Sequence, residues 1–103
     1  MAGEIREIAA FDRLIHEPAR LAVMAVLSAC ESADFIYLAN STGLTKGNLS
    51  AHLSKLEEGG YLAIKKGFKG KYPNTRCALT HEGRRAFSAY RKQYLALARR
   101  LRK

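Results

Sequence analysis

The stretch that most constrains the fold runs from Leu44 to Leu62 and reads LTKGNLSAHLSKLEEGGYL. Three leucines recur in it at i, i+4 and i+7, which predicts one apolar face of an α-helix: Leu49, Leu53 and Leu56. Thr45 suits the N-cap of this helix, and the Gly-Gly pair at 59–60 suits its end near Glu58. The opposite face carries small residues, although a glycine inside a helix costs about 1 kcal/mol relative to alanine. That face therefore needs a reason outside the protein core.

A second, shorter helix is predicted just before it. Ser32 or Asp34 can cap a helix that runs to about Asn40. Gly43 suits the left-handed residue that follows a helix end. Two helices joined by a tight turn that contains glycine predict a helix-turn-helix over about residues 34–58.

The hydrophobic period changes from helical to alternating after the glycine pair. Leu62 and Ile64 alternate with other residues, as Cys77 and Leu79 do, which predicts two half-buried strands. The segment between them, KKGFKGKYPN, contains two glycines and a proline. We expect a β-hairpin over about residues 61–79 with a long, flexible, basic tip.

Two further helices frame these elements. An almost wholly apolar segment from Pro18 to Cys30 predicts a central core helix. Thr80 suits the cap of a last helix over about residues 80–101. Aromatic and leucine residues spaced 3, 4, 3, 4 along it predict a narrow seam: Phe87, Tyr90, Tyr94, Leu97 and Leu101. The first turns of this seam suit the chain's own core, and its distal part suits a second chain, because the helix outruns the radius of a domain this size.

Charge is divided unevenly along the 103 residues, whose net charge is +9. Residues 1–34 contain six acids and three bases, a net of −3, and residues 45–103 contain fifteen bases and three acids, a net of +12. A basic half of this kind favours a polyanionic partner, of which nucleic acid is the commonest.

The bare helix face then has an explanation. A recognition helix lies in a DNA major groove about 12 Å wide, and small side chains let its backbone approach the base edges. Asparagine pairs with adenine and lysine with guanine, while serine can reach phosphates. The candidate contact residues are Thr45, Lys46, Gly47, Asn48, Ser50, Ala51, Ser54 and Lys55. We expect His52, on the flank, to pack or to contact phosphate.

The hairpin supplies a second set of cations, suited to phosphates or to the adjacent minor groove. Its candidate DNA contacts are Lys65, Lys66, Lys69, Lys71 and Arg76. Phe68 and Tyr72 are interleaved with them. We expect these two rings to pin the loop, because stacking on bases would indicate a single-strand binder.

Several other functions find no support in the sequence. Cys30 and Cys77 are far apart, no CxxC is present and the histidines lack ligand spacing, so we expect buried thiols and no metal or cofactor. A redox switch or a metal sensor is the alternative role for these two cysteines. No nucleophile elbow, phosphate loop or close carboxylate pair is present, which argues against an enzyme. No apolar run is long enough to span a bilayer and the N-terminus does not read as a signal peptide, so the expected location is the cytoplasm.

Together these patterns predict one domain over residues 1–103 of the α+β class, mostly α, a winged helix-turn-helix with a two-stranded β-hairpin wing. IHEPARLAVMAVL, LTKGNLSAHLSKLEEGGYL and RCALTHEGRRAFSAYRKQYLAL resemble the small winged helix transcriptional regulators related to the MarR and ArsR families over roughly residues 11–97. The resemblance implies a homodimer built from the N-terminal region and the last helix, with DNA contacts from the recognition helix and the wing. The cysteine metal motif of ArsR-type proteins is absent.

We therefore expect a dimeric, sequence-specific regulator that binds a pseudo-palindromic operator in double-stranded DNA, most simply a repressor, with its small-molecule effector unknown. A winged helix module that binds RNA or an acidic protein partner is the alternative.

Overall fold

The structure is a computed structural model, and it describes residues 9–102. The elements are α1 (Pro18–Ser28), β1 (Ala33–Asp34), α2 (Phe35–Thr42), α3 (Lys46–Glu58), β2 (Leu62–Lys69), β3 (Tyr72–Leu79) and α4 (His81–Leu101). This order confirms the mostly helical winged helix-turn-helix fold. Most of the N-terminal region that the resemblance assigns to a dimer, residues 1–8, lies outside the described residues.

Helix caps formed by local side chains set the helix-turn-helix. The cap of α2 is Asp34 rather than Ser32, and its carboxylate accepts a hydrogen bond from the Tyr37 amide at 2.8 Å. Gly43 ends α2 with φ 74°, as expected for a left-handed residue. Thr45 then caps α3 by accepting from the Asn48 amide at 3.2 Å.

The sheet has three strands in the order β1-β3-β2. Sequence patterns did not reveal β1, because two residues are too few to show a period. It pairs antiparallel with the base of the hairpin through Ala33↔Cys77 and Asp34↔Arg76.

The expectation of a long loop at the hairpin tip is wrong. Strand pairing continues to Lys69↔Tyr72, so only Gly70 and Lys71 form the turn. Gly70 has φ 64°, as the first central residue of a type II′ turn requires. Pro73, which reads as a strand breaker, is tolerated because β3 has no second neighbouring strand beyond Arg76.

The core lies between the helices and the inner face of the sheet. The three leucines of α3 are at most 3% exposed, which confirms the apolar face read from their spacing. Val23, Met24 and Leu27 of α1 are fully buried, which confirms α1 as the central helix, although it ends at Ser28 rather than near Cys30.

A close backbone contact joins the start of α4 to the start of β2. The Thr80 amide donates to the Tyr61 carbonyl at 3.0 Å, and the Thr80 hydroxyl donates to the Gly60 carbonyl at 2.6 Å. Gly83 packs so tightly here that an added Cβ would overlap the Tyr61 carbonyl oxygen and lie 3.0 Å from its carbon. The wing is therefore fixed against the terminal helix at its base.

The seam of α4 divides into two parts. Phe87, Tyr90 and Leu97 are 7%, 2% and 8% exposed, so their own chain already covers them. Tyr94 and Leu101 are 50% and 62% exposed. The expectation that the distal seam needs a second chain is therefore wrong for Leu97, and only the other two distal residues are free to meet a partner.

Candidate nucleic-acid interface

All eight residues of α3 and its cap that are expected to face DNA are exposed, and the leucines of the same helix point into the core. The space outside this face is open, because a Cβ added to Gly47 would meet nothing within 4 Å. The helix therefore presents an accessible, low-relief face, in which small side chains at the centre leave the backbone open to approach.

One side-chain hydrogen bond joins α3 to the first turn of α1, where local bonds hold its arginine in place. Arg20 Nη1 lies 3.2 Å from His52 Nδ1, and Arg20 Nε donates to the Leu14 carbonyl at 2.6 Å. Glu17 caps α1 by accepting from the Arg20 amide at 2.8 Å, a bond that lowers the pKa of the Glu17 carboxyl below its ordinary value. The expectation that His52 packs at the flank fits its half-buried position, and its contact with Arg20 joins α3 to α1.

A groove of about 600 Å³ separates α3 from the inner face of the wing. Hydroxyl groups of Ser50 and Ser54 line its helical side, and Lys66 and Thr75 line the opposite side. Glu57, at the C-terminal end of α3, is an acid in the same groove. The arrangement places hydroxyl donors and one cation where a phosphate strand could pass between helix and wing.

The strand register divides the wing cations between two faces. Lys66 shares the inner face with Ile64 and Thr75, whereas Lys65, Lys69 and Arg76 lie on the outer face. Lys71 lies in the turn. Within residues 9–102, no carboxylate forms an ion pair with any of the four wing lysines.

Arg76 differs from the lysines because its guanidinium is already engaged. Its Nη2 and Nε donate to Ser32 Oγ at 2.8 and 3.2 Å. The guanidinium of Arg84 is engaged as well, because it donates to the Cys30 carbonyl, just after α1, at 2.8 Å. Sequence reasoning missed both contacts, since the partners are 44 and 54 residues away and no local pattern connects them.

Phe68 and Tyr72 are 76% and 77% exposed at the wing tip. The expectation that they pin a flexible loop is wrong, because the paired strands already order the tip. These two rings are the most exposed large hydrophobic side chains in the described part of the chain.

A second groove, of about 530 Å³, lies between α1 and α4 and is mainly apolar. Leu21 and Ala25 line one side, and Phe87, Tyr94 and Leu95 line the other. Leu95 is 48% exposed, although the seam read from the sequence did not include it. A search for a wider apolar stripe, as surface helices usually have, would have included Leu95, which lies between the exposed seam residues Tyr94 and Leu101.

The two thiols differ in burial. Cys77 is 1% exposed, and desolvation raises the pKa of its thiol to about 11. Cys30 is half-buried, so the expectation of two buried thiols holds fully for Cys77 alone. Over residues 9–102, no cluster of three or more potential metal ligands occurs, and no helix is long and apolar enough to cross a membrane.

Comparison with known proteins assigns these features to a family. Residues 19–98 match the model of a winged helix DNA-binding domain. The uncharacterized protein MJ0432 of Methanocaldococcus jannaschii is 36% identical over 90 residues, which cover 86% of this chain and 97% of that protein.

Solved structures show the same fold. A transcriptional regulator homologue from Pyrococcus horikoshii has a TM-score of 0.88 at 26% identity, over 98% of this chain and 99% of that one. A MarR family regulator from Silicibacter pomeroyi has a TM-score of 0.68 at 22% identity, over 97% and 64%. The expected likeness to MarR-related winged helix regulators is thereby confirmed. By its match over most of its length, the chain belongs to the winged helix DNA-binding domain family.

Proposed function

We propose that this protein is a dimeric, sequence-specific regulator of transcription that binds double-stranded DNA and acts as a repressor. One observation carries the proposal: an exposed, low-relief face of α3 lies beside a wing whose four lysines have no acidic partner within residues 9–102. A binding role of this kind requires no catalytic residue. The regulator homologue from P. horikoshii, which aligns over nearly the whole chain, supports the same role.

In this proposal α3 reads base edges in the major groove. Gly47 and Ala51 let the helix backbone approach, and Asn48 forms a bidentate contact with adenine. Lys46 and Lys55 reach guanine or phosphate at the two ends of the face. The hydroxyl groups of Ser50 and Ser54 bind phosphates along the groove between helix and wing, and that of Thr45 contacts a phosphate at the N-terminal end of α3.

The wing supplies contacts that do not depend on sequence. Lys65, Lys66, Lys69 and Lys71 approach phosphates or the minor groove, where the negative potential attracts cations. Arg76 belongs to this set with a smaller expected contribution, because Ser32 already accepts two hydrogen bonds from its guanidinium.

A second copy of the chain is proposed to cover the apolar groove between α1 and α4. The exposed apolar residues of α4 are the proposed contacts: Tyr94, Leu95 and Leu101. The buried seam residues Phe87, Tyr90 and Leu97 would support this surface from beneath. A two-fold dimer would place two α3 helices about 34 Å apart and would favour a pseudo-palindromic site.

Selection from a random duplex library tests the proposal together with a measurement of mass in solution. We expect enrichment of a palindrome and a dimer at micromolar concentration. Leu95→Glu should yield a folded monomer that loses most of its affinity for the palindrome, and Ala89→Glu, at an exposed position on the opposite face of α4, is the matched control.

A wild-type monomer without preference among duplexes would refute the proposal. Tight binding to RNA or to an acidic protein in its place would support the alternative role of the basic face.

A further inference from the structure

The tip of the wing combines two exposed aromatic rings with a cluster of cations, and nothing described above uses the rings. Phe68 and Tyr72 are 76% and 77% exposed. Phe68 lies four residues beyond Ile64, the last residue of β2 that packs against the core, which is about 13 Å along a strand. The ring therefore cannot reach the core of its own chain.

The charge around the tip identifies the class of partner. Lys66, Lys69 and Lys71 surround the rings, and no carboxylate within residues 9–102 pairs with them. A polyanion complements this charge, and the apolar surfaces that a nucleic acid can offer a ring are the faces of its bases.

The strand register favours a duplex over a single strand. Phe68 is paired with Pro73 on the inner face of the ribbon, the face that Lys66 presents toward α3, whereas Tyr72 is paired with Lys69 on the outer face. Rings on opposite faces cannot form one platform for successive unstacked bases. Phenylalanine and proline side by side at the end of a ribbon do form an apolar wedge, of the kind that minor-groove proteins insert between base pairs.

We propose that Phe68, supported by Pro73, inserts between two base pairs in the minor groove beside the α3 site and kinks the duplex there. This inference rests on the proposed function, because it places the wing on the same DNA. It makes Phe68 a determinant of specificity at positions that no side chain reads by hydrogen bonds. Pyrimidine–purine steps unstack most easily, so a TA or CA/TG step should occur under the wing tip.

The test uses the duplex enriched by the wild-type protein, with 2-aminopurine placed at one flanking position at a time. We expect wild-type protein to raise the fluorescence several-fold at one step on each side, and we expect dye-labelled duplex ends to come closer together. Phe68→Ala should abolish both signals and weaken binding roughly tenfold, because the stacking of the ring on a base is lost. Phe68→Leu should retain most of both signals, because an aliphatic wedge can also unstack a step.

Lys69→Ala is the matched control at the same tip. It should weaken binding to all duplexes and reduce the salt dependence, but leave the 2-aminopurine signal of the bound complex intact. Phe68 is so exposed that its replacement should not unfold the protein, which urea unfolding of each variant will verify.

Different failures have different meanings. Specific binding of wild-type protein without any 2-aminopurine signal would overturn the wedge and leave the proposed regulator in place, whereas no enriched duplex at all would overturn both. Phe68-dependent binding that is tighter to single-stranded DNA, or to vesicles of phosphatidylserine and phosphatidylcholine, would replace the wedge with a different partner.

Discussion

Replacing Gly83 by alanine tests the packing that fixes the wing against α4. The added Cβ would overlap the Tyr61 carbonyl oxygen and would lie 3.0 and 3.1 Å from the carbonyl carbon and Cα of the same residue. All three atoms belong to the backbone, so no side-chain rotation can relieve the overlap. The first turn of α4 would have to move away and weaken the hydrogen bonds of Thr80 to Tyr61 and Gly60.

Two opposing effects set the size of the change. Overpacking of a tight contact costs about 1–3 kcal/mol. Alanine in place of glycine in a helix recovers up to about 1 kcal/mol. We therefore expect Gly83→Ala to lower the free energy of unfolding by about 1–2 kcal/mol, which corresponds to roughly 5–15 °C in the melting temperature of a domain this size.

Gly47→Ala is the matched control, since that glycine also lies in a helix but has nothing within 4 Å of the added Cβ. It should raise the free energy of unfolding by about 0.4–1 kcal/mol, because alanine lowers the conformational entropy of the unfolded chain. Urea unfolding followed by circular dichroism measures both variants, at two protein concentrations to separate folding from association. A Gly83→Ala protein as stable as the wild type would refute the packing argument.

Three further predictions concern binding, pH and thiol chemistry. Asn48→Ala should weaken binding to the selected duplex by about 1–3 kcal/mol and relax the preference at one base position. Lys69→Ala should weaken binding to every duplex and reduce the slope of log K against log salt concentration by about one. Equal losses on specific and random DNA for both variants would contradict these roles. Glu17→Gln should destabilise the protein at neutral pH, because the Arg20 amide binds the charged carboxylate and lowers its pKa. The difference in stability between the two proteins should disappear as the pH falls from the ordinary glutamate pKa of 4.5 through the lower pKa of the folded protein. Urea midpoints that differ between the two proteins by the same amount at pH 3 and pH 7 would show that the charge of Glu17 does not stabilise the helix. Cys77 should resist iodoacetamide at pH 8 in the folded protein, since burial raises its pKa to about 11, and mass spectrometry that finds it alkylated as fast as in urea would show that the site is open.

Sequence periodicity was sufficient to predict the helices and those ends of the two long strands that pack against the core. Each rests on a local signal, such as the leucine spacing of α3 or the capping hydroxyl of Thr80, which tertiary packing reinforces. The exposed face of α3 was predictable for the same reason, because the buried face of a helix determines the opposite one.

The remaining features depend on contacts that are distant in sequence. Strand β1 is too short for a pattern, and it forms because β3 offers an open edge. The wing tip reads as a loop because its polar and glycine residues hide the alternation that the cross-strand register reveals. The α4 seam does not show which residues their own chain covers, so the burial of Leu97 could not be foreseen.

Asp34 belongs to two elements at once, since it pairs with Arg76 in the sheet and caps α2 through the Tyr37 amide. The helix-turn-helix and the wing are thereby joined at both ends, through this residue and through the Gly60 turn. Within one chain, these two connections fix the separation between α3 and the wing, and hence the spacing of the DNA contacts proposed for them. In the proposed dimer, a regulatory ligand would therefore act by changing the distance between the two chains, because this spacing within each chain is set by paired backbone.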